Sequence, residues 1–119
     1  MKPQQNPSRR ALFSTTQVAA LRARFRQCQQ ALGELDWLSE GSLTHVPPAS
    51  WRWTRKVKAK TVTVALSAAQ AAAFQEAIAN YRRLERLILE MRALSQTYLL
   101  HAIPGPPRRH TPKSLPNPP

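Results

Sequence analysis

Five cations of this chain fall within nine residues: Arg52, Arg55, Lys56, Lys58 and Lys60. Arg82 and Arg83 add a second basic pair further along. Guanidinium and ammonium groups donate charge-assisted hydrogen bonds to phosphate oxygens, and such contacts position a protein on a nucleic-acid backbone. These seven residues are the candidate nucleic-acid-binding set. The same charges serve a blander purpose equally well, because charge along an exposed strand edge prevents strand-to-strand aggregation.

The other chemistry-bearing residues point nowhere in particular. His45, His101 and His110 are scattered, and none has metal-ligand spacing with Cys28 or a carboxylate. Glu85 and Glu90 stand among arginines on one predicted helix, with no second carboxylate placed for acid–base work. Ser42 has no identifiable base. With only three glycines, the chain has no phosphate-cradling loop. The expectation is therefore no enzyme, no catalytic residue, no cofactor and no metal. Cys28 has no partner for an internal disulfide, so a reducing cytosol is the simple inference. It sits on an apolar helical seam and reads as a small buried hydrophobe.

The element that positions the first five cations runs from Trp51 to Gln70. Trp51, Trp53, Arg55 and Val57 alternate with Arg52, Thr54, Lys56 and Lys58, and Val62, Val64 and Leu66 with Thr61, Thr63 and Ala65. Two such runs with a short polar connection read as a β-hairpin. A turn at Ala59-Lys60 places Val57 opposite Val62 and Trp53 opposite Leu66, whereas a three-residue loop gives another register. Either way one face is apolar, with Arg55 its only charge, and the other is wet. Trp51 and Trp53 either form the core of the hairpin or stack on unpaired bases.

Two helices flank it. Ser14 to Gln17 spells a capping box, with Phe13 and Val18 at the hydrophobic-staple positions. Val18, Leu21, Phe25, Cys28 and Leu32 then make a seam that Gly33 ends. Ser67 to Gln70 repeats the box and opens a helix reaching about His101. Its seam is Phe74, Ala77, Tyr81, Leu84, Ile88, Met91 and Tyr98, widened by Ile78, Leu87 and Leu94. Between the first helix and the hairpin lie Glu34, Asp36 and Glu40, half of the chain's six acids, expected near basic side chains. Leu35, Trp37 and Leu38 are expected under the hairpin, and Leu43 to Val46 as a short extra strand before Pro47-Pro48 stops it.

These pieces predict a mostly α fold with a small β-hairpin, α-β-β-α, in which two helices pair like a coiled coil around a basic two- or three-stranded antiparallel ribbon. The expected domains are a flexible basic arm over 1–13, one α-β-β-α domain over 14–102 and a disordered Pro/Arg-rich tail over 103–119. The net charge of +12 favours a polyanionic partner. No run is long and apolar enough to span a bilayer, and the N-terminus does not read as a secretory signal.

The blocks W-x-W-T-R-K-V-K-x-K-T-V-T-V-x-L at Trp51–Leu66 and A-I-A-N-Y-R-R-L-E at Ala77–Glu85, with G-S-L at Gly41–Leu43, resemble an uncharacterised domain-of-unknown-function family of short basic bacterial proteins. Its members are often found among transposase genes. The resemblance covers roughly Leu32 to Leu99 and implies a helix, a hairpin and a long helix. Many members carry a cysteine cluster, C-G-K-P-x-C-x-C, after the G-S-L. This chain has Thr44 to Ser50 there, without cysteine, and Ala59 where the family usually has glycine in the turn.

The functional expectation is a small basic nucleic-acid-binding accessory protein, binding DNA with or beside a transposase of a mobile element. Structured RNA is a further candidate partner. The alternative is a protein-interaction module whose long helix docks on a partner. The second helix outreaches the first, so its C-terminal end is expected to lack an intrachain partner and to mediate a homodimer. The expected location is cytoplasmic, at the nucleoid if DNA-bound.

Overall fold

The structure, a computed structural model, describes residues 11–107. The elements follow as α1 (Thr15–Gly33), β1 (Ser42–Val46), β2 (Ser50–Val57), β3 (Lys60–Leu66) and α2 (Ala68–His101). The strands form one antiparallel sheet in the order β1-β2-β3, so the ribbon is the three-stranded one. The arm and tail expected at the ends fall mainly in 1–10 and 108–119, as does His110, and lie outside the described residues.

Both helices start where a side chain satisfies the orphan amides of the first turn. The Ser14 N–H donates to Gln17 Oε1 at 2.8 Å, and the Gln17 N–H donates to Ser14 Oγ at 3.1 Å. Ser67 and Gln70 make the same reciprocal pair at 3.0 and 3.1 Å. Each serine cap is worth about 1 kcal/mol.

The chain divides into two compact units. The first is Arg26–Met91, which contains the whole sheet. Its core is Cys28, Leu66, Ala71, Ala77 and Ile78, all buried. The apolar side of the sheet packs on α2, where the Trp53 and Phe74 rings lie 4.5 Å apart. The loop between α1 and β1 is tied to the same helix. The Ser39 N–H donates to the Ala77 carbonyl at 3.1 Å, and Asn80 Nδ2 donates to the Trp37 carbonyl at 3.1 Å.

The second unit combines the chain up to Phe25 with the chain from Arg92 onward. Here the Phe13 N–H donates to the His101 carbonyl at 2.8 Å, and the two rings stack at 5.1 Å. Phe13 thus closes on the end of α2. The Arg22 guanidinium lies 5.9 Å from the centre of the Tyr98 ring. The C-terminal stretch of α2 therefore has α1 as a neighbour, which corrects the expectation that it lacks an intrachain partner.

Every seam residue of α1 is buried or half-buried. On α2 the seam departs from its expected course at one point. Ile88 is 44% exposed and Leu87 is half-buried in its place. A strict seven-residue repeat drifts by about 20° per heptad on an α-helix. Within its own unit each stretch of α2 has its own neighbour, the sheet at Phe74 and α1 at Tyr98.

Two further expectations are corrected. Trp37 does not lie under the hairpin, being 82% exposed, and Leu38, 47% exposed, only borders the cleft beside Trp53 and Arg55. Trp53 and Phe74 already fill that space. The hairpin turn is at Lys58-Ala59, with Val57 opposite Lys60 and Trp53 opposite Val64. Both turn residues have positive φ, 50° and 68°. That geometry matches the right-handed twist of the flanking strands, and the twist prevails over the poor turn chemistry of Lys-Ala. The register differs from the expected one by two residues, so every side chain keeps its expected face. No described helix is long and apolar enough to cross a membrane.

Candidate nucleic-acid interface

A strand presents successive side chains to opposite faces, and this parity sorts the seven candidate cations. Arg52 and Lys56 differ by four residues and share the face that points away from Trp53. Arg52 is paired with Thr44 and Ala65, and Lys56 with Thr61. Between them the Thr54 and Thr63 hydroxyls lie 3.2 Å apart in a hydrogen bond across the strands. Arg52 and Lys56 are exposed, and at the strand rise their Cα atoms are about 13 Å apart. That exceeds the Debye length of about 10 Å at 0.1 M salt, so the two act as separate contacts. Lys58 is exposed at the hairpin tip. Across β1, β2 and β3 no acidic residue occurs.

Arg55 belongs to the other face. Its guanidinium carbon lies 4.1 Å from the centre of the Trp53 ring, a cation–π arrangement. Its Nη1 is buried without a hydrogen-bond partner. Beside it a shallow cleft is walled by Leu38, Ser39, Glu40, Trp53 and Tyr81. Lys60, opposite Val57, is exposed on that same side of the ribbon. Arg82 and Arg83 are exposed on α2. The structure thus brings together Arg52 and Lys56 on one face, with Lys58 at its tip, and separates Arg55, Lys60, Arg82 and Arg83 from them.

The tryptophans take three different places. Trp53 is fully engaged. Its ring meets Phe74 and Arg55, and its indole N–H donates to the Glu40 carbonyl at 2.9 Å. These contacts engage the ring within the fold. Trp51 is half-buried, tilted against His45 at 4.6 Å, which gives His45 a packing role. Trp37 alone of the three is open to solvent.

Gly41 is what lets the loop close on Trp53. Its φ is +101°, and a Cβ there would lie 2.6 Å from both the Thr54 carbonyl oxygen and Trp53 Nε1. Cys28 is buried and is in no disulfide. Asp36 accepts the Trp37 N–H through Oδ1 at 2.9 Å, so this acid is engaged with its own loop. Among the described residues no three His, Cys, Asp or Glu side chains gather where they could hold a metal ion.

Sequence reasoning missed Trp37 as a surface residue. The available signal was its setting between Glu34, Asp36 and Glu40, which marks a solvated segment. No family model, no curated protein and no solved structure matches this chain.

Proposed function

We propose that this chain is a small nucleic-acid-binding accessory protein that holds the phosphate backbone of DNA against the outward face of its sheet. One observation carries the reading. The sheet region, residues 42–66, contains five cations and no acid, in a chain of net charge +12. On the outward face Arg52 and Lys56 stand among threonine hydroxyls, and Arg, Lys, Ser and Thr are the side chains that contact phosphate oxygens. The major groove also admits a two-stranded ribbon such as β2–β3. The role beside a transposase of a mobile element rests only on the resemblance carried by Trp51–Leu66, Ala77–Glu85 and Gly41–Leu43. No reaction is proposed, and the partner can be RNA as well as DNA on the same chemistry.

The test is the salt dependence of binding, read by fluorescence anisotropy on a short duplex and on single strands. Each phosphate neutralised contributes about −0.9 to the log–log slope on duplex DNA. Replacing Arg52, Lys56 and Lys58 together by glutamine should make the slope shallower by about 2–3. The fold should not change, since exposed substitutions cost within about 0.5 kcal/mol. Absence of any salt-sensitive binding sinks the proposal. An unchanged slope moves the surface off the ribbon.

A protein-interaction role is favoured by a separate observation, the exposure of Trp37.

A further inference from the structure

Trp37 is 82% exposed, although tryptophan is highly buried on average. It does not hang on a loose segment. Its N–H donates to Asp36 Oδ1 at 2.9 Å, and its carbonyl accepts from Asn80 Nδ2 at 3.1 Å. Two residues on, the Ser39 N–H is bound to the Ala77 carbonyl of α2. The backbone is tied to α2 at Trp37 and at Ser39, and the indole is exposed. Leu38, 47% exposed, extends the apolar surface. Glu34, Asp36 and Glu40 surround it in sequence, three of the chain's six acids. The result is an apolar knob with an anionic collar. Such a collar repels phosphate, and its complement is an apolar hole with a cationic rim.

The chain itself carries such a hole. In the unit formed by the chain ends, Val18, Leu21 and Phe25 of α1 and Leu94, Tyr98 and Leu99 of α2 line a groove of about 210 Å³. Arg22 stands at its edge over the Tyr98 ring, and Arg92 is exposed just before Leu94 on the same helix. The volume is of the order of one large aromatic side chain. At a net charge of +12, two copies repel each other over most of their surfaces. The acidic loop is where one copy attracts the basic remainder of another.

We infer that Trp37 of one copy seats in the α1–α2 groove of a second copy, with its acidic collar against Arg22 and Arg92. Made in both directions, the contact closes a symmetric dimer. Made in one direction, it propagates. The inference is independent of the nucleic-acid reading and uses none of the outward-facing cations of the sheet.

The experiment is sedimentation equilibrium of the full chain from low to high micromolar, at about 0.3 M salt to screen the net repulsion. Concentration-dependent self-association is expected. Trp37→Ala should weaken it at least about 30-fold, as truncation of a central aromatic anchor does. Leu99→Lys, on the exposed wall of the groove, should do the same. Both sites are more than half exposed, so both variants should keep the wild-type circular dichroism. Mixing the two variants is the decisive arm. Trp37→Ala keeps an intact groove and Leu99→Lys keeps an intact knob, so the mixture should form a one-to-one complex that neither forms alone. A monomer at all concentrations overturns the inference. So does self-association that survives Trp37→Ala, or a mixture that stays monomeric. A monomer whose Trp37-dependent emission is quenched by oligothymidylate overturns it in favour of base stacking.

Discussion

Gly41→Ala should unfold the contact on which the position of the sheet depends, and the structure sets the size of the effect. The residue has φ of +101°, in the region that side-chain-bearing residues avoid at about 1–2 kcal/mol. The added Cβ would lie 2.6 Å from the Thr54 carbonyl oxygen and 2.6 Å from Trp53 Nε1, with Trp53 Cδ1 at 3.2 Å. The carbonyl belongs to β2, beside the point where Ser42 pairs with Thr54, and cannot retreat without opening the β1–β2 ladder. The indole must therefore swing. In doing so it loses its 2.9 Å bond to the Glu40 carbonyl and its packing on Phe74. Trp53 is half-buried, so losing this bond costs about 0.5–1.5 kcal/mol. Strain and lost bond together come to about 2.5 kcal/mol. At about 4–8 °C per kcal/mol for a domain of this size, the midpoint should fall by about 10–20 °C. Thermal denaturation followed by far-UV circular dichroism measures this, and near-UV signal reports the tryptophan environment. Gly33→Ala is the control, since a Cβ there meets nothing within 4 Å and φ is not positive. A Gly41→Ala midpoint within about 2 °C of wild type, on the same scale of degrees per kcal/mol, would refute the account of Trp53 as anchored by this loop.

Two other substitutions separate the roles within the hairpin. Ala59→Gly relieves a φ of 68° at the turn and should stabilise the protein by about 0.5–1 kcal/mol in urea denaturation; a loss of stability would show that the turn is not of the double positive-φ kind. Arg55→Met removes a buried Nη1 that has no partner while keeping an aliphatic stem over Trp53, so stability should stay within about 1 kcal/mol of wild type. Its salt slope for DNA should also be unchanged, and a slope shallower by about 1 would put Arg55 in the interface.

Much of the architecture was legible in the sequence because the deciding signals are local. The two S-x-x-Q boxes each satisfy a pair of amides within four residues, so they needed no tertiary information. The α1 seam was legible for a similar reason, since every one of its five apolar positions turned inward. The α2 seam failed only at Ile88, where the neighbour of the helix and not its own period decides which side is inward. The turn was misplaced by one residue because Lys-Ala carries no positive-φ signal. The faces survived because the resulting register shift is even. Trp37 was misread in another way. The acids Glu34, Asp36 and Glu40 around it mark a solvated segment, but an apolar residue reads as core while the place under the sheet looks open, and the Trp53–Phe74 contact shows that it is taken.

The grouping of the candidate cations was the least legible part, and parity explains why. As a cluster in sequence, Arg52, Arg55 and Lys56 look like one patch. In a strand an offset of three places a side chain on the opposite face and an offset of four returns it. Arg55 therefore spends its charge on an indole inside the fold, while Arg52 and Lys56 keep theirs for solvent or a partner. This division also makes the binding surface separable from the fold. The outward face meets none of the buried core side chains, so its cations can be neutralised without opening a cavity. The inward face has no exposed phosphate donor except Lys60, beyond the last apolar pair. A phosphate-binding role assigned to the ribbon as a whole would predict that Arg55 and Arg52 substitutions weaken DNA binding alike. The two-faced ribbon predicts that Arg52→Gln alone flattens the salt slope, by about 1, and that Arg55→Met leaves it where it was.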